Sequence, residues 1–213
     1  MNNMLQRPEI HHRVMAEIDA ADQRGGLSLP VAKYEETTKL KYFMACVKET
    51  LRYNSPAVTL LPRIVSNPGY DLRIDNNGKT MYIPPGVQIG ASPYIIHRNA
   101  SVFGPHPECF NPARWIPGEF LASDFTVTEE SIKRMERFGM WWGFDRECAG
   151  KNYAYMQIQK LCVEMLRRFK WHTGKKEGLL DDSGKGFRYE QWAVGMFWDQ
   201  WIAFEDRGLQ VPS

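Results

Sequence analysis

Apolar residues recur at intervals of three and four in three stretches of the chain, which is the spacing of one face of an α-helix. The first stretch, residues 7–21, predicts one helix. The second, residues 40–51, predicts a helix that ends by about Tyr53, because Asn-Ser-Pro follows. The strongest pattern comes directly after Cys148 and predicts a helix that stops near Gly174.

Between the second and third helices the period changes to two, which is typical of β-strands. Asn77-Gly78 predicts a hairpin turn between two of these strands. A β-prone, aromatic segment follows the last helix. The predicted strand runs are residues 60–65, 70–74, 80–83 and 87–91, followed by residues 187–192 and 196–204 near the C-terminus.

Two segments have neither a long helical nor a strand pattern. Residues 105–118 are rich in Pro and aromatic residues and are predicted to form an ordered loop, and residues 129–137 are predicted to add a short polar helix. No internal repeat is visible. The pattern therefore predicts an α+β chain, mostly helical with small β-sheets.

Charge and composition exclude several classes of protein. The 27 Lys and Arg are balanced by 25 Asp and Glu, so nucleic-acid binding by bulk charge is not expected. No run of roughly 18 apolar residues occurs, so no membrane anchor is predicted in the chain as given. The four cysteines form no C-x-x-C pair, which favours reduced thiols over a disulfide framework.

Two charged motifs indicate a structural contact. Glu49 and Arg52 are three residues apart on the second predicted helix, so they lie on one face. Residues 110–115 form a rigid loop that carries Arg114, whose guanidinium could fork onto a carboxylate. Each motif by itself is also compatible with an ordinary surface ion pair.

Cys148 offers two kinds of chemistry. It precedes a predicted helix, whose first amides and dipole stabilise a negative charge. A thiolate there can attack an electrophile or bind a soft metal centre such as haem iron. A cysteine can also be a small apolar residue at a helix start, and the residues alone leave these alternatives open.

The histidines do not identify either a hydrolase site or a zinc site. A thiol hydrolase needs a histidine beside Cys148, and His97, His106 and His172 are candidates that no sequence context separates. A zinc site is not predicted, because the adjacent His11-His12 do not share a helical face as two residues four apart would.

Three motifs in this order resemble the C-terminal half of a cytochrome P-450, a haem-thiolate monooxygenase of the fungal microsomal kind. They resemble that family's helix K, its meander approach and its cysteine loop. The resemblance implies that residues 1–213 form one truncated domain, the proximal part of that fold from helix J to the C-terminal β-hairpin. The motifs are Lys48-Glu49-Thr50-Leu51-Arg52, then His97-Arg98-Asn99 through Phe103 with Phe110-Asn111-Pro112-Ala113-Arg114-Trp115, and Asp145-Arg146-Glu147-Cys148-Ala149-Gly150.

The same resemblance implies a cofactor, haem b, and the residues that hold it. Cys148 would be the axial thiolate ligand of the iron, donating electron density that favours cleavage of the O–O bond. Arg63 and Arg146 would pair with the haem propionates through charge-assisted hydrogen bonds. Glu49, Arg52 and Arg114 would form a buried ionic triad that serves folding and haem retention.

Substrate, electron donor and location also follow from the resemblance. A lipophilic small molecule would be oxidised, and an NADPH-dependent reductase would deliver electrons. The excess of nine Lys and Arg over four Asp and Glu in residues 131–170 would steer such an acidic partner. A full-length relative is expected at the endoplasmic reticulum membrane, and the chain as given in the cytoplasm. The apolar residues that would contact substrate are Ala57, Val58, Leu60, Met196 and Phe197.

The chain also departs from the family pattern. Phe144 stands in the cysteine loop where the family has a glycine, and the oxygen-activating helix would precede Met1. We therefore expect a truncated product with little turnover by itself. The alternatives are a haem-free, non-catalytic remnant or interaction fragment and a cysteine-dependent hydrolase.

Overall fold

The computed structural model describes residues 2–57, 60, 62–75, 77–138, 147–173, 188–191, 195–198 and 202–209. The described part contains eight α-helices and one 3-10 turn, Pro112–Trp115. The helices are α1 (Asn2–Leu5), α2 (Pro8–Gln23), α3 (Tyr34–Thr37), α4 (Lys41–Tyr53), α5 (Pro93–Ile96), α6 (Ala100–Phe103), α7 (Glu129–Arg137) and α8 (Lys151–Arg168).

The main core lies between α2, α4 and α8. Their apolar faces are those that the periodicity predicted, and the first two predicted helices are confirmed within two residues at their ends. On α2, the buried residues Ile10, Val14, Ile18 and Ala21 recur at threes and fours. Val163 and Leu166 of α8 and Phe43 and Val47 of α4 join them in one cluster. Burial of these side chains is the main force that orders the three helices.

Strands form five small sheets in the described residues, each with two antiparallel strands. The pairs are β1 (Arg63–Ile64) with β4 (Gln88–Ile89), β2 (Tyr70–Arg73) with β3 (Thr80–Ile83), β5 (Phe120–Ala122) with β6 (Phe125–Thr126), β7 (Phe169–Thr173) with β10 (Ile202–Asp206), and β8 (Arg188–Gln191) with β9 (Gly195–Trp198).

The predicted hairpin at Asn77-Gly78 is confirmed. It joins β2 to β3, and Arg73 faces Thr80 across the turn. Gly78 has a φ of 87°, in the left-handed region that side chains with a Cβ avoid. Asp75 Oδ1 accepts hydrogen bonds from the backbone N–H groups of Asn77 and Lys79, which closes the turn.

The end predicted for the third long helix was wrong. α8 ends at Arg168, and Phe169, which the helical pattern included, begins β7 with an extended backbone. The reason is a long-range pairing with β10, in which Phe169, Trp171 and Phe204 bring their rings together at 4.9–6.1 Å between centroids. Tertiary packing of these aromatic, β-prone residues overrides the local helical pattern.

A second core supports the predicted loop of residues 105–118 and the predicted short helix, both of which are observed. Phe103, Trp115, Val127 and Met135 are buried together beside Ala45 of α4. The loop contains the 3-10 turn, where Asn111 Oδ1 accepts a hydrogen bond from the Ala113 N–H. The loop is therefore anchored on α4 and α7 rather than free in solvent.

An ionic cluster joins the ends of α2 and α8. Arg167 is buried and donates to Asp22 Oδ1 at 2.6 Å, to Glu164 Oε1 at 2.9 Å and to the Ser28 carbonyl at 3.2 Å. Glu164 also accepts a hydrogen bond from the Ala32 N–H at 2.8 Å. The cluster thus ties the loop after α2 to the last turns of α8.

In the described part of the chain, no helix has the length and apolar character needed to cross a membrane.

We predict that Arg167→Ala lowers the free energy of unfolding by about 3 kcal/mol, because it leaves partly buried carboxylates without their partner. Arg168→Ala is the matched control: it contacts the same Glu164, but its side chain is 32% exposed. This control substitution should lower the free energy of unfolding by less than about 1 kcal/mol. Urea unfolding of the full chain measures the free energy of unfolding of both variants. Equal decreases would show that burial of the Arg167 cluster adds nothing to stability.

Candidate functional site

The carboxylate of Glu49 is the centre of a buried polar cluster. Glu49 lies on α4 with a side chain that is 0% exposed. Its two oxygens accept hydrogen bonds from Nε and Nη2 of Arg52 at 2.8 and 2.7 Å. They also accept from the Asn111 N–H and from Nε1 of Trp115, each at 2.9 Å. A buried carboxylate is thereby supplied with donors from both the helix and the loop.

Arg52 joins this carboxylate to the backbone of the loop. It lies one turn beyond Glu49 on α4, so the pair forms a fork within one helix face. Its remaining N–H groups donate to the carbonyls of His97 at 2.8 Å, Pro107 at 2.6 Å and Cys109 at 3.0 Å. The guanidinium therefore holds three separate points of the segment between α5 and the 3-10 turn.

Arg114 adds a second buried guanidinium. It donates to the carbonyls of Phe103, Pro105 and His106, the last two at 3.2 and 3.0 Å. Its Nε lies 3.6 Å from Glu49 Oε1, an ion-pair distance longer than a hydrogen bond. Burial lowers the pKa of Arg114, and the charge of Glu49 opposes this shift. The structure thus brings Glu49, Arg52 and Arg114 together, with Arg114 bonded to backbone instead of to the carboxylate.

His97 completes the cluster from the loop side. Its Nδ1 lies 3.2 Å from the Arg52 carbonyl while its own carbonyl accepts from Arg52, so that the two residues hold each other. A carbonyl oxygen only accepts, so Nδ1 carries the proton. Burial, together with the nearby Arg52 charge, lowers the pKa of His97 to about 4. The imidazole is neutral near pH 7 and is committed to a structural contact.

Cys148 lies apart from this cluster, two residues before the N-cap of α8. Its side chain is half-buried and its thiol is free of any disulfide. The Cys148 carbonyl accepts a hydrogen bond from the Lys151 N–H at 3.1 Å, which places the residue in the turn that starts the helix. A Cβ built on Gly150 would stand 3.8 Å from Cys148 Sγ, so the chain passes close to the sulfur. This half-buried residue precedes the positive end of an 18-residue helix.

The other cysteines differ from Cys148. Burial raises the pKa of Cys46 to about 12 and also raises that of Cys162, and both pack in the main core. Cys109 is exposed, in the loop held by Arg52. Among the four, Cys148 alone combines partial exposure with a helix start.

A single cysteine meets the ligand requirement of haem more closely than that of a zinc ion. No group of three or more His, Cys, Asp or Glu that could hold a metal ion occurs in the residues that the structure describes. A structural or catalytic zinc needs three or four protein ligands, whereas haem supplies four ring nitrogens and needs a single axial side chain. One accessible sulfur is therefore a sufficient protein ligand for haem.

A cavity connects the start of α8 with the buried cluster. It has a volume of about 280 Å³ and is bordered by Arg52, His97 and Trp115 and by Lys151 and Tyr155 of α8. The helix that follows Cys148 and the loop that carries Arg114 therefore border the same cavity.

The remaining predicted site residues lie in other parts of the chain. Arg63 lies on β1 with an exposed side chain that donates to the Pro62 carbonyl. Ala57 is half-buried, Leu60 is 61% exposed, and Met196 and Phe197 belong to β9. Arg146 and Val58, together with the unusual Phe144, lie outside the described residues.

Several basic residues of the segment 131–170 make contacts within the chain. Arg167 and Arg168 pair with Glu164, and Lys151 pairs with Glu147. The Arg134 side chain donates to the Val102 carbonyl. Glu147 and Glu164 are already subtracted in the count of charges, so these pairs leave the net basic excess of the segment unchanged.

Sequence reasoning missed two donors to Glu49, the Trp115 indole and the Asn111 backbone. The signal was present in part, because both residues belong to the motif that contains Arg114. Their contact with Glu49, more than 60 residues earlier, depends on tertiary packing.

A half-exposed thiol at the start of a long helix, together with a separate buried carboxylate–guanidinium cluster, is the arrangement that the sequence resemblance predicts for a haem-thiolate protein. Comparison with known proteins agrees. Residues 1–188 match the family model described as Cytochrome P-450. The chain belongs to the cytochrome P-450 family, and its α+β architecture is that of part of this fold.

Similar proteins come from fungi. The chain is 28% identical to Cytochrome P-450 monooxygenase hepC of Aspergillus oryzae over 92% of its own length and 35% of that protein. It is 32% identical to Cytochrome P-450 monooxygenase cicH of Emericella nidulans over 78% of its length and 30% of the relative. It is 34% identical to Quiannulatic acid synthase of Emericella variicolor over 66% of its own length and 25% of that protein. The chain thus spans about a third or less of these relatives.

We predict that acid destabilises the chain through His97. The unfolded imidazole, with its ordinary pKa near 6.5, binds a proton before the folded one does. Stability should therefore fall as the pH drops from 6.5 towards 4, by up to ~1.4 kcal/mol per pH unit. Urea unfolding at several pH values should show this slope reduced in His97→Asn, which keeps a donor for the Arg52 carbonyl.

His106→Asn is the control, because it removes an exposed histidine from the same loop and leaves His97 in place. A slope that survives in His97→Asn would assign the acid sensitivity to another group.

Proposed function

We propose that this chain is the proximal part of a haem-thiolate monooxygenase, in which Cys148 is the axial ligand. The observation that carries the proposal is the half-buried, free thiol of Cys148 at the start of α8, in a chain that belongs to this family. Haem bound there would activate O₂ for insertion of one oxygen atom into a lipophilic small molecule. The substrate class is inferred from the family and from the apolar residues Ala57, Val58, Leu60, Met196 and Phe197.

Residues of this chain would hold haem in two ways. The Cys148 sulfur would bind the metal, and the helix start beside it would stabilise the negative charge of the thiolate. Arg63 and Arg146 would pair with the propionates of haem b, and the exposed position of Arg63 leaves its guanidinium able to do so.

The cluster of Glu49, Arg52 and Arg114 would serve haem retention without taking part in chemistry. It is buried and fixes the carbonyls of residues 97–109, so it holds the loop that precedes the cysteine segment. Because removal of one member leaves an uncompensated buried charge, this scaffold is sensitive to substitution.

The proposed electron donor and cellular location are also inferred from the family. An NADPH-dependent reductase would deliver electrons, with Lys133 and Lys170 among the exposed basic residues available to an acidic partner. The full-length form would act at the endoplasmic reticulum membrane.

We further infer that residues 1–213 act as one domain and that this chain alone turns over little substrate. The chain spans 35% of hepC and 30% of cicH, so most of each relative has no counterpart here. A haem-free remnant or interaction fragment is the competing outcome. A hydrolase that uses His97 as its base is disfavoured, because this imidazole is buried and held by Arg52.

We predict that the purified chain, supplied with haem and reduced under carbon monoxide, shows the red-shifted absorption band of a thiolate-ligated haem. Cys148→Ser should lose that band because the serine oxygen is a poor replacement for a soft thiolate. Cys109→Ser, the matched control at an exposed cysteine, should keep the band.

A band that persists in Cys148→Ser would contradict the ligand assignment. Absence of haem uptake by the wild-type chain would favour the remnant. Rapid reaction of Cys148 with an electrophilic probe in cofactor-free protein, coupled to ester hydrolysis, would favour the hydrolase.

A further inference from the structure

The indole of Trp115 makes a direct contact with the buried Glu49 carboxylate. Its Nε1 donates to Glu49 Oε2 at 2.9 Å, and both side chains are buried. Trp115 follows Arg114 in the 3-10 turn, so adjacent residues serve the same cluster in different ways. A hydrogen bond from a neutral donor to a buried carboxylate is charge-assisted and stronger than one between neutral groups.

The acceptor positions of the carboxylate leave little room for another donor. A carboxylate has about four lone-pair sites, and Arg52 fills two of them. The Asn111 N–H and the Trp115 indole fill the other two. Arg114 Nε stays 3.6 Å away and has no hydrogen-bond partner. Trp115, rather than Arg114, is the loop side chain that bonds to Glu49.

Other contacts orient the Trp115 ring. The Lys48 ammonium lies 5.6 Å from its ring centroid and forms an ion pair with Glu136 of α7 at 2.6 Å. Phe103 meets the ring edge-on at a centroid distance of 6.3 Å. The indole is therefore held between α4, α6 and α7, with its N–H aimed at Glu49.

We propose that Trp115 is a positioning residue that sets the orientation of the Glu49 carboxylate, while Arg114 supplies compensating charge and organises loop carbonyls. Through Glu49, Trp115 keeps Arg52 in the geometry that holds residues 97–109. The consequence for haem retention rests on the proposed function, but the contact itself does not.

The test compares Trp115→Phe with Trp171→Phe in the haem-free full chain. Trp171 is a matched control, because it is also buried and its Nε1 donates to a backbone carbonyl, that of Met165, at 2.9 Å. Each variant loses one indole donor and a similar volume. We expect Trp115→Phe to lower the folding equilibrium constant roughly tenfold more, since only its bond has a charged acceptor.

A double-mutant cycle with Glu49→Gln separates this role from simple packing. The effect of Trp115→Phe should shrink severalfold in the Glu49→Gln background, and that of Trp171→Phe should not. Replacement of Trp115 by 3-benzothienylalanine, which keeps the shape and lacks the N–H, should reproduce the loss. If Glu49→Gln does not fold, slow hydrogen exchange of the Trp115 indole in wild-type protein provides the second measurement.

Additive effects in the cycle, or a benzothienyl variant as stable as wild type, would overturn the proposal. In the haem-loaded chain, Trp115→Phe should release haem several times faster than Trp171→Phe, and equal release rates would remove the link to haem. Failure of the wild-type chain to bind haem would contradict the proposed function while leaving the result of the cycle intact.

Discussion

The buried carboxylate of Glu49 is the constraint on which the site depends. A charged group inside a protein is costly unless donors surround it, and here a helix and a distant loop must both supply them. The two guanidiniums that compensate its charge have their own donors to satisfy, and these engage carbonyls of residues 97–109. Because each polar group needs the others, the loop takes one conformation instead of many.

This arrangement explains how a segment with little regular structure becomes a rigid support. The segment between α6 and α7 contains only two short strands and one 3-10 turn, yet its Trp115 is buried with Phe103 of α6 beside α4. The carbonyls of Phe103 and Pro105 accept hydrogen bonds from Arg114. Burial of apolar side chains and hydrogen bonding of polar groups therefore stabilise the same segment. The cavity bordered by Arg52, Trp115 and Lys151 then lies between this support and the start of α8.

Cys148 depends on a different part of the fold. Its position follows from α8, whose buried Val163 and Leu166 anchor the helix in the main core while Arg167 binds Asp22 near the end of α2. The last turns of α8 are thus firmly packed, while Cys148 before its first turn is only half-buried. Cys46 lies within the core and Cys162 packs against it, and burial raises the pKa of both thiols above its ordinary value.

Local pattern was sufficient for much of the architecture and for the family. Periods of three to four and of two predicted α2, α4 and the β2–β3 hairpin, because burial of one face is encoded by neighbouring residues. The same local information failed at Phe169, where pairing with β10 replaces a helical turn by a strand. The motif residues pointed to Arg114, whose Nε does lie at ion-pair distance from Glu49, but they did not indicate the direct hydrogen bond from Trp115. Partners 66 positions apart meet only after the chain has packed, so their geometry depends on long-range contacts that no short stretch of sequence contains.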